Sequence, residues 1–92
     1  MKEFRTTAAS AVGLHARPAA LFASSAKSSG CKVTLSKVLA NGELTPPVDG
    51  ASVLRVMTLG VKFGDEIVVR VEGPEEDSVS AALRVIVESV DH

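Results

Sequence analysis

The sequence predicts an α+β fold: an open-faced sandwich in which a four-stranded antiparallel sheet carries three helices on one face, in the order β-α-β-β-α-β-α. Three observations predict it. Stretches of period-two hydrophobicity alternate with stretches of helical period. Each strand pattern keeps one polar face, which leaves a single side for helices to cover. The strands are too few to close a barrel.

Phe4, Thr6 and Ala8 alternate with Glu3, Arg5 and Thr7, the pattern of a half-buried strand, and Ser10 to Gly13 break it. From Ala16 the spacing changes. Ala19, Phe22, Ala23 and Ala26 fall at i, i+3, i+4 and i+7, one stripe of a helix that Gly30 closes. Cys31, Val33 and Leu35 then alternate with Lys32, Thr34 and Ser36 as a second strand with Cys31 toward the core, and Asn41-Gly42 favours a tight reversal. The return strand, around Leu44 to Val48, carries Pro46 and Pro47; neither can donate a ladder hydrogen bond, so this strand belongs at a sheet edge. Asp49-Gly50-Ala51-Ser52 introduces a two-turn helix from Val53 to Leu59, with Gly60 as its C-terminal cap. Ile67, Val69 and Val71 supply the last strand. Pro74, Glu75, Glu76 and Asp77 then suit a first helical turn, and Val79, Ala82, Leu83, Ile86 and Val90 form the stripe of the final helix.

The 92 residues make one domain spanning 1–92, without repeat, linker or low-complexity tract. A single Cys cannot form an internal disulfide, so the core must come from aliphatic packing. Ten basic against eleven acidic residues, with no Trp or Tyr, give no basic cluster interleaved with aromatics, which argues against a nucleic-acid partner. No apolar run approaches the roughly 20 residues a bilayer requires, and no signal-peptide h-region is visible, so membrane insertion is not expected and a cytoplasmic location is. Two widely separated His and one Cys offer no metal-ligand spacing, and no cofactor is implied. His92 reads as a solvated terminal residue.

The chemistry-bearing segment is Gly13-Leu14-His15-Ala16-Arg17-Pro18-Ala19, where the first strand hands over to the first helix. His15 falls at or near the N-cap. The backbone N–H groups of a helix start, here those of Ala16 and Arg17, and the helix dipole hold an anion there. Arg17 adds a planar donor fork, and Pro18 fits a first turn. The helix N-terminus and the guanidinium both disfavour imidazolium, leaving the ring available as a nucleophile. The arrangement suits a phosphoryl group on imidazole, although spacing alone is equally compatible with an incidental surface histidine and a solvated arginine. In the short helix, Val56 and Leu59 suffice to anchor it, so Val53, Leu54 and Met57 are surplus, either a docking patch or further core. Nothing in the chain is a Gly-rich nucleotide loop, so phosphate has to come from another protein.

This segment resembles the active-site signature of the HPr family, the histidine-containing phosphocarriers of the bacterial phosphoenolpyruvate-dependent sugar phosphotransferase system. Ser52-Val53-Leu54-Arg55-Val56-Met57-Thr58-Leu59-Gly60 resembles the family's second signature, and the resemblance covers nearly the whole chain. It implies that His15 is phosphorylated at Nδ1, that Arg17 stabilises the phosphate, and that Ser52 is a regulatory serine open to a kinase and phosphorylase. It also implies that Ala20, Leu21, Val53, Leu54 and Met57 form the surface for enzyme I and the sugar-specific IIA domains. The protein is then a carrier that depends on partner enzymes, not an enzyme, and a monomer is expected because a shuttle must present one face to successive partners. A regulatory binding module controlled mainly at Ser52 is the alternative. Two departures stand out: the segment Val38 to Asp49 is longer than the family's usual hairpin, and Val12 stands where many relatives have a small hydrogen-bonding residue.

Overall fold

The computed structural model describes residues 1–8, 16–62 and 64–88. The expectations placed on Ser10 to Gly13, Val12, His15, Val90 and His92 lie outside them. Among the described residues the elements run β1 (Lys2–Thr7), α1 (Ala16–Ser29), β2 (Lys32–Lys37), β3 (Val48–Asp49), α2 (Val53–Thr58), β4 (Glu66–Glu72) and α3 (Glu76–Glu88). The four strands form one antiparallel sheet in the order β1-β4-β2-β3. The predicted class, an open sheet with three helices on one face, is the one observed.

The register explains the core. Phe4 pairs with Val69, Thr6 with Ile67, and Val33 and Leu35 with Val71 and Val69, so one face of three strands is apolar and points at the helices. Ala19, Phe22, Ala23 and Ala26 bury the predicted stripe of α1 against it. α1 packs on α3 and α2, and α3 lies over β1 and β4. The opposite face is not wholly polar as the alternation suggested. Val68 and Ser36 are cross-strand partners on that face, and both are buried in the middle of the sheet.

Two boundaries and one helix face differ from the sequence reading. The return strand is only Val48–Asp49; Leu44 makes an isolated bridge to Val38, and Thr45 N–H donates to the Lys37 carbonyl at 2.9 Å. Pro46 and Pro47 interrupt the ladder between these pieces because they have no N–H, although β3 does occupy the sheet edge. The last helix starts at Glu76, after Pro74 and Glu75, because Glu75 adopts a left-handed φ of 56° that cannot continue into a helical turn. Its core face is Ser80, Leu83 and Val87, with Val79 and Ile86 half-buried; Ala82 is exposed. The predicted stripe was thus displaced around the helix by about one residue.

Asn41-Gly42 makes the expected reversal: Gly42 N–H donates to Leu39 at 2.8 Å and Leu39 N–H to Glu43 at 2.7 Å. Gly50 is required by contact. A Cβ there would stand 2.7 Å from Val33 Cγ1 and 3.1 Å from Phe22 Cε1, so only glycine lets β3 turn into α2 so close to the core. Cys31 is half-buried against the core, and its thiol donates to the Pro74 carbonyl at 3.0 Å.

Candidate functional site

α1 begins at Ala16, the residue after His15, so the helix start falls where the motif required it. Its first turn contains no acidic residue, whereas α3 opens with Glu76 and Asp77. The N-terminal dipole of α3 is therefore met by acids of its own first turn, whereas the first turn of α1, like that of α2, supplies none. Arg17 sits in the first turn of α1 and is exposed. His15 itself lies outside the described residues.

α2 is built on a cap. Asp49 Oδ1 accepts from Ala51 N–H at 2.9 Å, turning the chain toward Ser52, which adopts extended dihedrals of −110° and 115°. Ser52 Oγ then accepts from Arg55 N–H at 3.3 Å and the Ser52 carbonyl from Val56 N–H at 3.0 Å. The sequence-predicted N-cap is the observed one. At the other end Gly60, with φ of 64°, donates to the Met57 carbonyl at 3.1 Å and ends the helix as expected.

The six-residue helix divides its apolar side chains sharply. Val56 is fully buried and Leu59 half-buried, whereas Leu54 is 74% exposed, Met57 41% and Val53 38%. On the neighbouring α1, Leu21 is 45% exposed and Ala20 is exposed. With α1 packed on α2, these side chains are free of the core on two adjoining helices. A patch of this kind is characteristic of a protein contact.

Sequence reasoning missed two features. An open groove lined by Pro47, Val48, Asp49, Ser52 and Arg55 flanks the cap serine; the hydrophobic pattern does not show that Pro47 of the long hairpin comes beside Ser52. The second is a set of polar ties outside the patch. Asp65 Oδ2 accepts from Lys62 N–H at 2.9 Å and lies 3.5 Å from Lys37 Nζ, and that hydrogen bond to Lys62, aided by Lys37, holds its carboxyl below the ordinary value. Glu88 accepts from the buried Thr6 hydroxyl and from Arg84 Nε, which together hold its carboxyl low as well. Arg84 also lies over the Phe4 ring at 5.9 Å.

Comparison with known proteins gives the same picture. A family model described as the PTS HPr component phosphorylation site matches residues 2–89. The phosphocarrier protein HPr of Mycoplasma genitalium is 34% identical over 90 residues, covering 96% of this chain and 94% of that protein. The phosphocarrier protein HPr of Streptomyces coelicolor is 45% identical over 69 residues, covering 75% of this chain and 69% of its own. Among solved structures, an HPr from Thermoanaerobacter tengcongensis superposes with a TM-score of 0.80 at 31% identity, over 97% of this chain and 93% of that one.

Proposed function

Because this chain belongs to the HPr family of phosphocarriers of the phosphotransferase system, we propose that it accepts a phosphoryl group on His15 from phosphorylated enzyme I and passes it to a histidine of a IIA domain. The observation that carries this reading is the start of α1 at Ala16 with Arg17, and no acid, in its first turn. A helix N-terminus whose first turn holds no acid stabilises an anion formed beside it, and a phosphate on the preceding residue is such an anion.

In the forward step the neutral imidazole attacks phosphorus through Nδ1, and the bond to the donor breaks as the new P–N bond forms. The backbone amides at the start of α1, those of Ala16 and Arg17 among them, and the Arg17 fork then share the phosphate's charge without enclosing it, so the group remains open to the next acceptor. The chain supplies the site, and partner proteins supply the phosphate and remove it.

Exposed Leu54, Met57, Val53, Leu21 and Ala20 serve as the docking surface for enzyme I and the IIA domains. Ser52 serves as a regulatory position at its edge, open to a serine kinase and phosphorylase. Its hydroxyl accepts a long hydrogen bond of 3.3 Å and faces an open groove, so a phosphate there can stay hydrated. A monomer in the cytoplasm fits this role, and no helix among the described residues is long and apolar enough to cross a membrane.

Mass spectrometry after incubation with enzyme I and phosphoenolpyruvate tests the reading. One acid-labile phosphate is expected on the wild type, and none on a His15→Ala protein that melts normally. Normal phosphate acceptance by His15→Ala would overturn it.

A further inference from the structure

A series of hydrogen bonds and one ion pair joins the C-terminal end of α2 to the residue from which the chain leaves β1 toward His15. Gly60 N–H donates to the Met57 carbonyl at 3.1 Å, and the Gly60 carbonyl accepts from Lys37 Nζ at 3.3 Å. The same ammonium lies 3.5 Å from Asp65 Oδ2. Asp65 closes the turn 62–65 twice, its N–H donating to the Lys62 carbonyl at 3.0 Å and its carboxylate accepting from Lys62 N–H at 2.9 Å. This turn in turn holds buried Ala8 by both backbone groups: Ala8 N–H donates to the Asp65 carbonyl at 2.9 Å and the Ala8 carbonyl accepts from Gly64 N–H at 3.0 Å.

We propose that Lys37 and Asp65 are positioning residues for phosphoryl transfer: through the Gly60 carbonyl on one side and the turn that clasps Ala8 on the other, they hold the docking helix α2 in fixed register with the end of β1 that leads to His15. The inference rests on the phosphocarrier reading of His15 and adds to it the residues that relate docking surface to acceptor. Its physical basis is economy of connection. α2 is too short to be stable by itself; the carbonyls of Arg55, Val56 and Met57 are met by the Thr58 hydroxyl and the Leu59 and Gly60 N–H groups, and Gly60, just beyond the helix, is in turn held by Lys37. Lys37, projecting from the end of β2, supplies one donor group that reaches both a helix-end carbonyl and a carboxylate. Its side chain is 24% exposed and that of Asp65 31%, which favours a defined geometry over a solvated surface pair. Transfer between two proteins depends steeply on the relative placement of donor and acceptor, so loss of register lowers turnover even when docking persists.

The test compares wild type, Lys37→Met, Asp65→Asn and Lys37→Arg. In steady-state transfer from phosphorylated enzyme I, Lys37→Met and Asp65→Asn are expected to lower kcat by roughly fivefold with KM for the carrier unchanged, because the exposed patch is intact. Lys37→Arg, which can still reach both oxygens, is expected to restore kcat. The Ala8 and Gly64 amide resonances are expected to shift in Lys37→Met and return in Lys37→Arg. An unchanged kcat in Lys37→Met, a rise in KM in its place, or no rescue by arginine would overturn the proposal, since a merely stabilising tie would lower only the melting temperature. If the wild type takes no phosphate on His15, the functional reading fails by itself; unmoved Ala8 and Gly64 amides would then still overturn the link between α2 and β1.

Discussion

The division of α2 into one buried and several exposed apolar side chains can be tested by a pair of substitutions with opposite signatures. Val56 has no exposed surface, so Val56→Ala removes about two methylene equivalents from the core, ~1.6 kcal/mol in transfer and ~2 kcal/mol with the residual cavity. For a domain of this size that corresponds to a fall of about 10 °C in melting temperature. Leu54 is 74% exposed, so at most about a quarter of the ~2 kcal/mol available to a fully buried leucine is at stake, or ~0.5 kcal/mol. Leu54→Glu forfeits that amount, yet it places a carboxylate at the second position of α2, near the positive end of its dipole. There it recovers ~0.3–0.5 kcal/mol, the low end of the range because the helix is short. The net change in stability is close to zero. At a docking interface the same charge must be desolvated among apolar groups, a cost of ~1.5–3 kcal/mol, or about 10- to 100-fold in affinity. Thermal melting and KM for transfer from enzyme I should therefore separate the pair: Val56→Ala melts early with KM nearly normal, and Leu54→Glu melts normally with KM raised at least tenfold. A wild-type KM in Leu54→Glu would refute the assignment of this face to docking, and a Leu54→Glu protein as unstable as Val56→Ala would return Leu54 to the core.

Two further outcomes follow from capping and charge. Ser52→Ala removes the acceptor for Arg55 N–H and should cost ~0.5–1 kcal/mol, toward the low end for a bond of 3.3 Å, whereas Ser52→Asp keeps an acceptor and should melt as the wild type does while slowing phosphate acceptance; equal acceptance rates for Ser52→Asp and wild type would reduce Ser52 to a cap. The Glu88 carboxyl is held low first by the Thr6 hydroxyl and then by Arg84, so its contribution is complete above the unfolded value of about 4.3 and fades as pH falls through the lower folded value. The melting-temperature difference between wild type and Glu88→Gln should accordingly be modest near neutrality, since the group is 43% exposed, and shrink on acidification; a difference independent of pH between 3 and 7 would show that the carboxylate's charge does not matter.

What could be read in the sequence was what a single periodic pattern specifies. β1 and α1 each bury one face, so the alternation at Phe4 and Thr6 and the stripe at Ala19, Phe22, Ala23 and Ala26 fix both element type and orientation. The cap at Ser52 and the stop at Gly60 were legible because their chemistry is local. The return strand was misplaced because edge pairing and proline compete over adjacent residues, and the ladder yields wherever an N–H is missing. The phase of α3 was misjudged because Ser80, a polar residue, takes a core position that an apolar stripe assigns to its neighbours. The tie from Gly60 through Lys37 and Asp65 to Ala8 had no sequence signal at all. A lysine on one strand and an aspartate in a distant turn become partners only once the sheet order places β4 beside β2.

That sheet order also explains how a six-residue helix can serve as a rigid docking element. A helix of this length has nothing of its own to resist fraying, since nucleation is unfavourable and there is little propagation to offset it. In this chain each part of α2 is held by a different neighbour: Val56 by the core, the N-terminus by Ser52 after the Asp49 turn, and the C-terminus by Gly60 and Lys37. Among the side chains left over are the apolar Leu54, Met57 and Val53, exposed beside Arg55 and Thr58 because none of these three attachments uses them. Exposure of the patch is thus a consequence of how the helix is anchored. It also follows that the two ends answer to different changes. On the proposed reading, a charge added at Ser52 should act on what approaches the patch, since a cap tolerates it, whereas a change at Lys37 or Asp65 should alter the link to Ala8 and leave the surface of the patch as it was.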